Sequence, residues 1–489
     1  MRSKSIGVEQ PVMHVRKQGA MRPRVIPVVL LAGILWSCTT SRHDDGHAAP
    51  EVNELTSYVV LADGGQAIAR VATADAQCPA LWIDGVARPM SARAAPASLA
   101  ARPGQAKPSA FPERICEAPL PAGTRSARVA DRVLPLPKAE SRRIVVLGDT
   151  GCRIKSSEHA FQACDDPEQW PFAAIAAAAA RENPDLVIHV GDYHYRESAC
   201  PQDQPCANSA WGYGWDAWNA DFFVPARPLL QAAPWVVVRG NHEECARAGQ
   251  GWFRLLDARP YDAQRSCDES HNDAEANFSD PYAVPLGSHW QLIVFDSALA
   301  SKPLNLGKSA DLRRLARYRE NMLVVDALAS APGMHSIFVS HHPVLGFTVK
   351  ASRIQFGNQA LLDAMKLVNG SRYFPPGVEA SLHGHVHSFE AINFSSGHPA
   401  ALVAGHGGDN LDTELSDSIG TAYPSAEAVR IDSVAHAHSF GYLLLERGTN
   451  GWTVSARRRD GSTLTVCTLR GTHLACGAGV ASVHPGGHG

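Results

Sequence analysis

Arg143-Ile-Val-Val-Leu-Gly-Asp-Thr-Gly151 decides how the rest of the chain is read. Ile144 to Leu147 are apolar on both faces, the pattern of a strand buried inside a sheet, and the run stops at Gly148-Asp149. The same grammar recurs downstream. Leu186-Val-Ile-His-Val190 ends in Gly191-Asp192, and Trp235 to Val238 is followed by Gly240-Asn241-His242. Gln291 to Phe295 runs into Asp296, and Ser336 to Val339 runs into His341. Between these runs, an Ala-rich helix is predicted from Phe172 to Arg181, with further helices over 309–329 and 357–368. Buried strands alternating with helices imply an α/β core, whose ligand crevice lies outside the carboxyl ends of the strands. Each apolar run therefore delivers its Asp, Asn or His to one rim.

Toward the N-terminus the pattern changes. Ser57-Tyr-Val-Val-Leu61, Ala80-Leu-Trp-Ile83 and Ser126-Ala-Arg-Val129 are short segments separated by Gly, Pro and Ala, with no helical period. They predict a small β-sandwich domain over 51–137, closed by a linker at Pro135 and Pro137, before a catalytic region over 142–470. Beyond residue 390, Ala401 to Ala404, Gly441 to Leu445, Trp452 to Val454 and Leu464 to Val466 predict strands of a second sheet. The Gly/His-rich stretch 477–489 reads as a disordered tail.

The first 38 residues read as a targeting segment. Arg22 and Arg24 precede the apolar run Val25–Trp36, which is too short for a membrane span and suits an export signal. Leu35-Trp-Ser-Cys38 resembles the lipobox of bacterial lipoproteins, which implies a lipid on Cys38, a tether over 39–50 and a place in the cell envelope, on the outer membrane by preference. Plain secretion or a periplasmic location is the alternative. The other ten of the 11 cysteines fall in neighbouring pairs: 78/116, 152/164, 200/206, 245/267 and 467/476. Neighbour pairing is the favoured of many connectivities, and an even number suits an oxidising compartment. Lys plus Arg is 45 against 48 for Asp plus Glu, a net charge of −3, so neither nucleic acid nor an anionic membrane surface is an expected partner. Contact with a membrane is expected only through the lipid on Cys38; the oligomeric state is not legible.

The chain has 22 histidines, and several belong to strand-end motifs that suit metal chemistry. They are Gly148-Asp-Thr-Gly151, Gly191-Asp-Tyr-His-Tyr195, Gly240-Asn-His-Glu243, Val339-Ser-His-His-Pro343 and Gly384-His-Val-His387. Together they offer carboxylates, an amide oxygen, a phenol and imidazoles, a mixed O/N set suited to Fe, Zn or Mn.

In order and spacing these motifs resemble the calcineurin-like metallophosphoesterase superfamily, and within it purple acid phosphatases. The resemblance implies an α/β fold arranged as a four-layer α-β-β-α sandwich. It implies two metal ions, one held by Asp149, Asp192, Tyr195 and His387, the other by Asp192, Asn241, His341 and His385, with Asp192 bridging. Fe(III) is expected at the Tyr195 site and divalent Fe, Zn or Mn at the other. The wider superfamily commonly opens with DxH, and Gly151 stands where that His would be. The implied activity is hydrolysis of a small phosphomonoester by a hydroxide bridging the metals, with His242 as general acid and Glu243 orienting it. A phosphodiesterase or nucleotidase is the alternative within enzymes, and a non-catalytic envelope binding protein the alternative outside them. His406, His342 and Arg196 are weaker candidates for substrate contact, with His342 also a rival to His341 as ligand. Tyr193 is a rival phenol that faces the wrong way in this pattern.

Overall fold

The computed structural model describes residues 55–350, 353–416, 426–477 and 481–483. The leader and tether over 1–50, with Cys38, lie outside the described residues.

Arg143–Leu147 pairs in parallel with Leu186–His189, which pairs in parallel with Trp235–Val237, as Ile144↔Leu186 and Val187↔Trp235. Gly441–Gly448 runs antiparallel on the other flank and is followed by Gly451–Arg458, Thr463–Arg470 and His473–Cys476. These belong to a sheet of 11 strands. A second sheet of 8 strands has four parallel members at its centre: Trp290–Val294, His335–Val339, Val378–His383 and Ala400–Ala404. The strands expected beyond residue 390 thus divide between the two sheets, because 400–404 follows a crossover while 441–470 is a meander.

Side-chain alternation explains the packing. Ile144, Val146 and Ile188 share an apolar cluster with Leu292, Val294, Ile337, Val339, Leu382 and Leu402 of the second sheet. Val145, Leu147 and Val187 point the other way, into a cluster with Phe172, Ile175 and Ala179 of the helix Phe172–Arg181. The far side of the second sheet, through Ile293, Phe338 and Ala401, packs on Tyr318, Met322 and Val325 of helix Ser309–Ala329 and on Leu361 and Met365 of helix Gln359–Asn369. Each such buried aliphatic side chain contributes about 1.5–3 kcal/mol. A strand buried on both faces is what the unbroken apolar runs required.

The N-terminal region is β-rich, but it does not close into a β-sandwich of its own. Thr56–Leu61 lies parallel to Trp235–Val237 through Val60↔Trp235, and Ala67–Thr73, Arg114–Leu120 and Ser91–Ala94 continue outward from it in the same sheet. Tyr58, Val59 and Val60 are all fully buried, Val59 toward one core and Tyr58 and Val60 toward the other. Such a strand needs cover on both faces, and the catalytic region supplies it. Arginines fasten the join. Arg93 donates to the carbonyls of Phe253, Arg254, Asp257 and Arg259, while Arg70 donates to those of Leu255 and Asp257. Glu117 pairs with both guanidiniums.

The expectation of disorder over 477–489 also needs correction. Ala481–Val483 pairs antiparallel with Ile431–Ala437 and satisfies that strand's open edge; residues 484–489 lie outside the described residues. All five neighbouring cysteine pairs are bonded. Bonds of this number mark a protein exported from the reducing cytoplasm. No described helix is long and apolar enough to cross a membrane.

Candidate metal centre

The motifs meet at the carboxyl ends of both sheets. Asp149, Asp192 and Asn241 follow strands of the first sheet, and His341, His385 and His387 follow strands of the second. Asp149, Asp192 and His385 sit at φ of 55°, 57° and 68°, a left-handed conformation that turns each side chain back over its strand end. Glycine beside them is a matter of space. A Cβ on Gly240 would lie 2.0 Å from Asp192 Oδ1, and one on Gly384 2.5 Å from Asp149 Oδ2.

Two groups of atoms form around Asp192. In the first, Tyr195 Oη lies 2.9 Å from Asp149 Oδ1, 3.0 Å from Asp192 Oδ2 and 3.1 Å from His387 Nε2. In the second, His341 Nε2 lies 3.1 Å from both Asn241 Oδ1 and Asp192 Oδ2. The ligand atoms of His385 and His341 fall within 4.8 Å of each other. His387 Nδ1 donates to Asn410 O at 2.7 Å and His341 Nδ1 to Val190 O at 2.9 Å, so both Nε2 atoms face inward.

These contacts test whether cations fit. One phenolic proton cannot serve two carboxylate oxygens at once, and the second group turns a carboxylate and an amide oxygen toward a single imidazole nitrogen. All seven side chains offer O or N donors to a buried space, and a pair of cations would satisfy them. The charges agree. Burial, reinforced by Asp149 and Asp192, holds the Tyr195 phenol far above its usual range. Against the cost of burial, Asp192 and Asp149 push His341 up to about 9, and Asp409, Asp412 and Asp149 push His387 up to about 10. Burial raises Asp149, whereas His341 and His242 outweigh burial to hold Asp192 well below the usual carboxylate range. The carboxylates thus draw positive charge onto His341 and His387, while burial holds His385 well below the usual imidazole range.

Gly151 is explained by Tyr195. A Cβ there would stand 2.9 Å from Tyr195 Cδ2 and 2.8 Å from Asp221 Oδ2, so no larger side chain fits beside the phenol. Tyr193, by contrast, stacks on His189 with ring centroids 3.8 Å apart and takes no part.

His242 stands at the rim, its ring 3.9 Å from that of Tyr195 and its Nδ1 2.9 Å from Glu197 Oε1 and 3.0 Å from His194 O. Burial and then Arg247 pull its pKa down to about 4, while Asp192 and Glu197 push the other way. Glu243, expected to orient it, does something else. Its carboxylate accepts from the backbone N–H groups of Gly240, Asp192 and Tyr193 at 2.9–3.1 Å, tying two ligand loops together. The orienting carboxylate is Glu197.

Of the weaker candidates, His342 groups with His341 and His385, its ligand atom within 4.8 Å of theirs, and the other two lie apart. Arg196 is buried against Asp221 and stacks over Trp170. His406 is buried beside Phe389, and His342 gives both ring nitrogens to Ser297 and Ser301 behind His385. None of the three lines the site cavity of about 780 Å³, whose walls include Asp192, Tyr195, Asn241, His242, His385 and His387. Its cations are Arg153, Lys155 and Arg247, none of which belongs to a motif. Arg153 pairs with Asp409 and lies over the Tyr195 ring.

The sequence model of the calcineurin-like phosphoesterase family matches residues 142–389. The chain belongs to that family. All seven candidate ligands of this phosphoesterase fall inside the matched span. No curated protein matches the sequence. Among solved structures, a purple acid phosphatase from yellow lupin (Lupinus luteus) seeds is similar, with 15% identity and a TM-score of 0.48 over 84% of this chain and 73% of that one. PhoD is similar as well, with 14% identity and a TM-score of 0.49 over 86% of this chain and 91% of that one.

Proposed function

We propose that this phosphoesterase is a dimetal phosphatase of purple acid phosphatase type that acts on phosphomonoesters outside the cytoplasm. The observation that carries the reading is Asp192 Oδ2, which lies within about 3 Å of both Tyr195 Oη and His341 Nε2 and so joins two donor groups. Asp149, Tyr195 and His387 would hold one ion with it, and Asn241, His341 and His385 the other. The phenol favours trivalent iron in the first group, and the oxygen and imidazole donors of the second suit divalent Fe, Zn or Mn. When bound, the ions supply an activated water nucleophile and neutralise phosphate charge.

The remaining work falls to the chain's own residues. His242 is the general acid, with Glu197 Oε1 2.9 Å from Nδ1 to hold the ring and favour its protonated form. Glu243 fixes the spacing of the 192 and 241 loops on which His242 and two ligands depend. The order of the three apolar clusters supports the α-β-β-α reading of the fold, with the site at the seam of its two sheets. A lipid on Cys38 would hold the enzyme at the cell envelope.

Turnover of nitrophenyl phosphate and of its bis-ester tests the substrate class. The metal-loaded protein should hydrolyse the monoester at least tenfold faster in kcat/KM. The reverse order assigns a diesterase, and no turnover of either returns the protein to the binding-module reading.

A further inference from the structure

Bound metals would account for charge on the phosphoryl group, but the cavity would also need donors for oxygens that face away from them. Three cations line it, and two are already committed. Arg153 gives Nε and Nη2 to Asp409 and Nη1 to Glu158, and Lys155 pairs with Glu158 at 2.7 Å. Arg247 differs. Its Nη2 meets Glu197, while its Nη1 makes only a 3.4 Å contact to Asn241 O. A guanidinium has five donors in a planar fork matched to phosphate, so this one holds unused capacity beside the reacting centre.

Its backbone is fixed from several sides. Arg247 N donates to Glu244 O at 2.9 Å, Ala248 N donates to His242 O at 2.9 Å, and Gln105 Nε2 reaches Arg247 O at 2.8 Å. The Cys245–Cys267 bond closes the same loop. The guanidinium packs against His242, with Nη2 2.6 Å from Nδ1 and 2.7 Å from Nε2. It also lies where the site cavity adjoins a second cavity of about 850 Å³, the two sharing Lys155, Asn241, Arg247 and Ser301 as walls. A cation whose side chain is 15% exposed at the cavity wall, carried on a loop held so firmly and left with a weakly engaged Nη1, is placed to meet an anion.

We propose that Arg247 binds a non-bridging oxygen of the substrate's phosphoryl group and is the residue of this chain, apart from the metal ligands, that recognises phosphate. This deepens the phosphatase reading and rests on it. The bland alternative is a positioning role only, in which Arg247 serves Glu197 and His242 and never touches substrate.

The test compares metal-loaded wild type with Arg247→Met and Arg247→Lys, checking metal content of each. Binding of inorganic phosphate is measured by calorimetry, beside KM and kcat on nitrophenyl phosphate. The proposal expects Arg247→Met to weaken phosphate binding and raise KM at least tenfold at unchanged metal content, with Arg247→Lys between the two. Millimolar guanidinium should restore part of the loss in Arg247→Met. Unchanged phosphate affinity and KM, with kcat alone reduced, overturns it in favour of the positioning role. Because phosphate binding is read without turnover, a wild type that binds phosphate through Arg247 but hydrolyses nothing leaves this inference standing and removes only the phosphatase reading.

Discussion

At the scale of single residues, the centre divides into atoms that announce themselves and atoms that do not. Five of the seven candidate ligands stand beside a glycine or just after an apolar run, Tyr195 and His387 follow within the same strand-end motifs, and that local grammar survives folding. Tyr195 was legible from its spacing after Gly191-Asp192, and the structure adds that its ring occupies the space a side chain at 151 would need. Glu197 and Arg247 carried no such mark. Their roles come from a contact between segments fifty residues apart, which no local pattern encodes. Glu243 misled for the opposite reason: its position next to His242 suggested a contact, but the carboxylate turns to backbone amides. Glu197 raises the His242 pKa, so Glu197→Gln should lower it. A smaller protonated fraction at each pH should then move the alkaline limb of the kcat profile to lower pH. A pH–rate profile unchanged by the substitution contradicts that role.

Secondary elements were read well where burial is local and badly where it is not. The helices expected over 172–181, 309–329 and 357–368 are found at Phe172–Arg181, Ser309–Ala329 and Gln359–Asn369. The N-terminal strands were also present, yet their partner lay 175 positions away, at Val60↔Trp235. Alternation along a strand says which face is covered but not by what. The buried arginines show how firm the join is. Arg93→Ala would leave the carbonyls of Phe253, Arg254 and Arg259 without that donor, Arg70 still reaching Asp257 O and Glu117, at a cost of about 1–3 kcal/mol for each buried group left unsatisfied. Denaturant unfolding checks this, and a loss below about 1 kcal/mol, the ordinary worth of an exposed pair, argues for a detachable N-terminal module.

For the whole molecule, the two sheets contribute unequal chemistry to one rim. The first brings Asp149, Asp192 and Asn241, the second only imidazoles, so neither sheet alone has a complete donor set. The five disulfides were legible as pairs because each joins two consecutive cysteines of the chain. The division of the C-terminal strands between the sheets was not, since crossovers leave no trace in composition. Asp192 is where both donor groups touch, which makes it the most exacting place to probe the account. Metal content per chain, measured on wild type and Asp192→Asn purified alike, is the decisive measurement. The account predicts two ions in the wild type and loss of both from the variant, whose fold by circular dichroism stays intact. A wild type that binds none, or a variant that keeps both, contradicts it.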